Sequence, residues 1–265
     1  MAARPVELAQ ITDCHLFADP EGRLKGVQTE ATLAAVIALV RQRHEHLDAV
    51  LASGDLVHDG SEAGYRRLHA LFGGLRAPVY CVPGNHDETG AMRRSLDGRR
   101  LQWVRQADLG PWRIVFLDSS LPDSEGGHLD EAEFAALEAS LAGAGARHVL
   151  VCLHHPPLRV GSHWLDTMVI DNGDHLLERL AAEPRVRGLV CGHIHQNLDL
   201  SLGQLRLLGS PSTCIQFLPD SETFTLEAIP PGYRWLRLLA DGRIETGIER
   251  IADLPAGLEL TPEEY

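Results

Sequence analysis

Val79-Tyr80-Cys81-Val82-Pro83-Gly84-Asn85-His86-Asp87 is an apolar run that breaks at a Pro-Gly turn and sets an amide beside an imidazole. Alone, it describes a strand running into an exposed turn, because Gly, Asn and Asp are ordinary turn residues. Four other apolar runs end in the same manner. Asp13-Cys14-His15 follows Leu8-Ala9-Gln10-Ile11, and Gly54-Asp55 follows Ala49-Val50-Leu51-Ala52. His154-His155 follows His148-Val149-Leu150-Val151-Cys152-Leu153, and Gly192-His193-Ile194-His195 follows Gly188-Leu189-Val190-Cys191. Five strands thus deliver a carboxylate, an amide or an imidazole at their C-terminal ends.

Between these strands lie helical patterns. Leu33, Val36, Ile37 and Val40 recur at helical spacing and predict a helix over 29–43, entered through Gln28 or Thr29. Ser61 caps a second helix that runs to about residue 72 and stops at Gly73-Gly74. Further helices are expected over 88–96, 130–141 and 173–182, with an irregular loop at 161–172. Strands 101–106 and 112–118 are expected to form a hairpin around Asp108-Leu109-Gly110. After residue 195 the pattern turns to strands: 198–202, 205–208, 213–217, 223–228 and a hairpin 233–239/244–250. Alternating strands and helices followed by strands predict an α/β fold, with two mixed sheets face to face and helices outside, a four-layer αββα sandwich. One domain is expected over 1–265: a β-α half to about 195, a β-rich half over 196–250 and an acidic tail over 252–265, either loose or packed as an arm.

A net charge of −13 disfavours binding to a nucleic-acid backbone, and no basic patch offsets it. The five cysteines contain no C-x-x-C pair, which suggests reduced thiols in a cytoplasmic protein. Met1-Ala2-Ala3-Arg4-Pro5 lacks an apolar signal region, and no apolar run approaches the roughly 18 residues of a membrane span. No membrane partner is expected.

Parallel strands end on one sheet edge, where ligands bind in open α/β sheets. In extended backbone, residues i and i+2 point the same way. Asp13 with His15, and His193 with His195, would each turn two donors to one place, and Cys14 would point away into the core. The donor types suit borderline transition metals. They are too many for one closed zinc, but suit two cations sharing a carboxylate.

In order and spacing, Asp13-x-His15, Gly54-Asp55, Gly84-Asn85-His86-Asp87, His154-His155 and Gly192-His193-Ile194-His195 resemble the five-motif signature of calcineurin-like metallophosphoesterases. One departure is Gly54-Asp55-Leu56-Val57-His58-Asp59, where the second acid falls one place later than in the usual Gly-Asp-x-x-Asp. His154-His155-Pro156-Pro157-Leu158 with Trp164-Leu165-Asp166, and the segments Pro211–Phe217 and Pro231–Arg234, extend the resemblance to bacterial class III cyclic AMP phosphodiesterases, over about residues 6 to 250.

The resemblance implies one metal on Asp13, His15 and His195, a second on Asn85, His154 and His193, and Asp55 as the bridge. The ions would be divalent, Fe or Mn or both. It implies in-line attack of a bridging hydroxide on 3′,5′-cyclic AMP, with His86 as the group that stabilises the phosphoryl charge and protonates the leaving oxygen; Asp55 and His86 are the catalytic pair. His15, Asn85, His86 and His195 would border the phosphate. Trp164 is a candidate wall for the purine, with Ser162, His163 and Phe217 as similar candidates. His128 and His155 lie nearby in sequence order, His155 more as a support than a donor. His58 is expected to be a solvated turn residue. The alternatives are a broader phosphodiesterase acting on 2′,3′-cyclic nucleotides, nucleoside-diphosphate conjugates or simple phosphodiesters, and a metal-free interaction scaffold. Either a monomer or a homodimer is compatible with the sequence.

Overall fold

The computed structural model describes residues 4–96 and 98–260. Two six-stranded mixed sheets carry the molecule. In the first, the order is Ile244–Arg250, Gly232–Leu238, Val6–Ile11, Ala49–Ser53, Val79–Val82, Leu101–Gln102. In the second it is Leu198–Leu202, Leu205–Gly209, Val186–Cys191, His148–Cys152, Trp112–Phe116, Gln106–Leu109. The strands that carry the five motifs run parallel within each sheet; antiparallel pairing closes both edges of the second sheet and one edge of the first, whose other edge, Leu101–Gln102, pairs parallel. Residues such as Leu8, Leu51 and Val82 meet Ile114, Phe116, Leu150 and Val190 between the sheets.

The outer faces take the helices. Helices α1 (Thr29–Arg43) and α2 (Glu62–Phe72) bury Leu33, Val36, Val40, Leu68 and Phe72 on the first sheet. A short helix, α3 (Thr89–Ser95), adds Met92. Helices α4 (Glu131–Ala142) and α5 (Gly173–Ala181) cover the second sheet through Leu137, Leu141, Leu176 and Leu180. The layers run α-β-β-α, as the alternation of patterns predicts. Ser61 caps α2 by accepting the Gly64 N–H at 3.0 Å, and Asp130 caps α4 by accepting that of Glu133 at 2.8 Å. No helix among the described residues is long and apolar enough to cross a membrane.

Local expectations change at the first hairpin and at the expected strands 213–217 and 223–228. The hairpin of the second sheet joins Gln106–Leu109 to Trp112–Phe116 and turns at Gly110-Pro111, with Gly110 at φ 55°. Leu101–Gln102 instead pairs with Val79–Val82 in the other sheet. A proline at the turn removes a ladder donor there, and only a glycine accepts that φ readily. Residues 213–217 are mostly irregular, with Gln216–Phe217 pairing a two-residue strand, Leu226–Glu227. The tail packs as an arm as far as it is described: Glu259 N–H donates to Lys25 O at 3.1 Å and Leu258 joins an apolar cluster with Leu24 and Val27.

Candidate metal centre

Backbone pairing continues past the strand ends and zips the motif loops together. Asp13 N–H donates to Gly54 O at 3.0 Å, His15 N–H to Asp55 O at 2.9 Å, and Gly192 N–H to His154 O at 3.0 Å. The loops are not extended. Asp13, His15, Asp55, His193 and His195 all have positive φ, between 45° and 66°. The i, i+2 alternation of a strand therefore does not account for their convergence. Each pair converges because alternate residues adopt the left-handed conformation, which costs a non-glycine residue about 1–2 kcal/mol. Cys14 is nevertheless buried in the core beneath the first sheet, as expected.

Glycine makes room at two of these turns. Gly54, at φ 96°, lies where a Cβ would stand 2.3 Å from His154 Nδ1. A Cβ on Gly84 would stand 2.2 Å from Asp55 Oδ1.

The seven residues expected to hold metal come together. Asp13, His15 and His195 form one group whose ligand atoms lie within 4.8 Å of one another, and Asp13, Asp55 and His154 form another. Asn85 Oδ1 stands 3.1 Å from both His154 Nε2 and His193 Nδ1. All but Asn85, which is half-buried, are buried. Asp55 occupies the middle, with Oδ2 3.4 Å from His154 Nε2 and 3.8 Å from His15 Nε2.

The outward nitrogens are tied to acceptors. His154 Nδ1 meets Ser53 O at 2.8 Å and His195 Nδ1 meets Ile215 O at 2.9 Å. In the neutral ring each carbonyl calls for a proton on Nδ1 and leaves the Nε2 lone pair facing inward. His15 Nε2 and His195 Nε2 consequently face each other at 3.3 Å. A cation between them satisfies both lone pairs, so the donor set fits metal. The segment around 211–217 supports this wall from behind: Ser212 Oγ donates to Asp13 O at 2.8 Å, and the Phe217 ring stacks on His195 at 4.0 Å and 6°.

Electrostatics follow the same arrangement. Burial opposes a charged His154, but the Asp55 carboxylate outweighs it and holds His154 at about 9. Burial drives His15 and His193 well below the ordinary range. Burial disfavours ionised Asp55, yet His154 and His86 outweigh it and hold its carboxyl well below the usual range.

His86 donates its backbone N–H to Asp55 Oδ1 at 2.9 Å, while its half-buried ring lies 4.9 Å from that of His15. It lines a cleft of about 690 Å³ beside the centre with Asn85, His58, Asp59, Glu88, Asp118 and Asp123. Trp164 does not line this cleft. Its ring packs edge-on against Phe217 at 4.9 Å and Phe224 at 5.1 Å. Ser162 is buried and accepts from Gln196 Nε2 at 3.3 Å, and His163 is exposed. His128 pairs with Asp171 at 2.5 Å. His155 is buried on Ser119 Oγ at 2.9 Å, with its ring 4.8 Å from that of His193.

Two residues at the centre escape the sequence reading. Asp87 accepts from Leu56 N–H, Val57 N–H, Gly84 N–H and Tyr65 Oη, which locks the Asp55 loop to the Asn85 loop. Burial, then Asp55, raises Asp87 to about 6. His58 is not a solvated turn residue. It is half-buried, its Nδ1 lies 3.1 Å from His15 Nδ1, and its ring stacks on His86 at 4.4 Å and 24°. Burial, then His86, lowers it to about 4. The displaced acid of that motif, Asp59, accepts the Ala18 N–H at 2.8 Å and so ties the loop after His15 to the loop after Asp55.

A two-sheet sandwich with an imidazole-carboxylate centre where the central strands end defines a metallophosphoesterase. The sequence profile of the calcineurin-like phosphoesterases matches residues 6–197, and the chain belongs to that family. It is 44% identical over 249 residues to the 3′,5′-cyclic adenosine monophosphate phosphodiesterase CpdA of Pseudomonas aeruginosa, covering 94% of this chain and 91% of that one. Identity to the protein of the same name from Escherichia coli K12 is 42% over 261 residues, covering 98% and 95%. Among solved structures, a dimetal phosphatase from Danio rerio shares the fold with a TM-score of 0.62 at 16% identity, covering 94% of this chain and 100% of that one. Family and donor set together imply divalent metal ions.

Proposed function

We propose that this protein hydrolyses 3′,5′-cyclic AMP to 5′-AMP at a two-metal centre. The observation that carries the proposal is the inward-facing donor set of Asp13, His15, Asp55, Asn85, His154, His193 and His195 in a chain 44% identical to a cyclic AMP phosphodiesterase. Asp13, His15 and His195 would hold one ion and Asn85, His154 and His193 the other, with Asp55 between them as a shared carboxylate. Such a mixed imidazole and carboxylate set suits Fe or Mn. Two bound cations supply Lewis acidity toward phosphoryl oxygens and an activated water.

The protein's own residues do the rest. Two carboxylates among neutral donors leave a loaded centre net positive, which attracts a singly charged cyclic diester. Asn85 and His86 face the cleft where that diester sits, and His86 protonates the departing 3′ oxygen. Its backbone N–H bond to Asp55 anchors the main chain of His86 beside that carboxylate. The cleft volume suits a nucleotide. Its rim of Asp59, Glu88, Asp118 and Asp123 repels additional phosphates, which favours a cyclic monophosphate over nucleoside-diphosphate conjugates. All five cysteines are free and buried, which suits a reducing cytoplasm.

The test is product identification. Metal-free protein reloaded with Fe or Mn should convert cyclic AMP to 5′-AMP, with higher kcat/KM than for 2′,3′-cyclic AMP or bis(p-nitrophenyl) phosphate. A reversed order of preference would overturn the substrate assignment. Stable metal binding with no turnover of any diester would overturn the enzyme itself.

A further inference from the structure

His154 and His195 have their outward nitrogens fixed by backbone carbonyls, Ser53 O and Ile215 O. At His15 the corresponding partner is a side chain: Nδ1 meets His58 Nδ1 at 3.1 Å, while Nε2 faces His195 and Asp55. For Nε2 of His15 to offer its lone pair inward, Nδ1 must carry the proton and His58 Nδ1 must accept it. His58 then carries its own proton on Nε2.

The same ring is held on other sides. One contact is the stacked ring of His86 at 4.4 Å, and another is Phe17 at 4.8 Å and 51°. The His58 backbone N–H donates to Leu16 O at 2.7 Å, and the neighbouring Asp59 binds Ala18 N–H. The loop thus presents the ring in one orientation.

We propose that His58 is a positioning residue that sets the His15 tautomer through its Nδ1 and holds the His86 ring by stacking, joining a metal donor to the proton donor. The inference rests on the roles assigned above to His15 and His86. It divides into two contacts that two substitutions separate. His58→Asn keeps an acceptor oxygen near the place of Nδ1 and removes the ring. His58→Phe keeps a ring against His86 and removes the acceptor.

The experiment measures metal retention by chelator competition, and kcat and KM for cyclic AMP at saturating metal, on both folded variants. His58→Phe should lose about 10- to 100-fold in metal affinity, the usual effect of removing a partner behind a ligand. His58→Asn should retain metal within about threefold and lose about 2- to 10-fold in kcat, the scale of one ring contact. Equal effects of the two substitutions on both readouts would reduce His58 to packing. Unchanged metal retention in His58→Phe would remove its role behind His15. Metal retention requires no nucleotide, so loss of metal in His58→Phe alongside an inactive wild type would uphold the positioning of His15 and refute the substrate.

Discussion

Asn85 and His86 are adjacent in the chain, and their environments differ. Asn85 Oδ1 points to two imidazoles, whereas the His86 ring turns to the cleft and stacks on His58. His86→Ala should lower kcat about 10²–10⁴-fold, the range for a lost general acid, with both metals retained in elemental analysis. Loss of metal in that variant would contradict the division of labour. Asp55→Ala should lose metal and activity together, because Oδ2 lies between His154 and His15. His154 adds a pH dependence. Its folded-state value of about 9 lies above the unfolded value of roughly 6.5. In the metal-free protein its ion pair with Asp55 therefore stabilises fully below about 6.5 and is lost as pH rises through 9. A metal ligand must be deprotonated, so metal uptake at pH 7 should release about one proton from His154. Calorimetry in buffers of different ionisation enthalpy measures this, and buffer-independent heats would refute it.

Each motif pairs a strand, legible in the sequence, with a turn that is not. Apolar runs such as Leu8–Ile11 and Val186–Cys191 mark the strands directly, and the donors beyond them mark the sheet edge. Side-chain direction beyond the strand is set by the left-handed φ of Asp13, His15, Asp55, His193 and His195, which no local pattern announces. His58 was illegible for the same reason. A histidine in a Gly-Asp turn looks solvated until the His15 loop is laid against it by the Asp59–Ala18 bond. Asp87 likewise needs the Leu56 and Val57 amides, about 30 residues away in the chain, to reveal its role. Gly84 tests how tightly these turns meet. Gly84→Ala places a Cβ 2.2 Å from Asp55 Oδ1 and should cost about 1–3 kcal/mol of stability and weaken metal retention. Gly203→Ala, at φ 63° with nothing within 4 Å, should cost about 1–2 kcal/mol with metal retention unchanged. Denaturant unfolding and metal analysis on both variants separate close approach from backbone strain. Equal metal retention in the two would remove the packing argument for Gly84.

At the scale of the molecule, the donor set lies across the junction of the two sheets. Asp13, His15, Asp55 and Asn85 follow strands of the first sheet, and His154, His193 and His195 follow strands of the second. Between the sheets a few polar ties accompany the apolar core. Gln10 Nε2 donates to Cys191 O at 2.8 Å, and the buried Arg234 donates to Gly209 O at 2.8 Å. Metal bound at the centre would add ligand bonds from both sheets, and these are absent from the unfolded chain. Binding to the native state alone stabilises by about 2.7 kcal/mol per site at a free concentration 100-fold above Kd. For a chain of this size that corresponds to about 5–10 °C in Tm. Stripping the metal should therefore lower Tm by at least that interval, and reloading should restore it in proportion to the logarithm of metal concentration. His58→Phe should need more metal than wild type to reach the same Tm, while His86→Ala should follow the wild-type curve. Melting curves that ignore metal concentration would mean that the folded chain binds no metal in preference to the unfolded one.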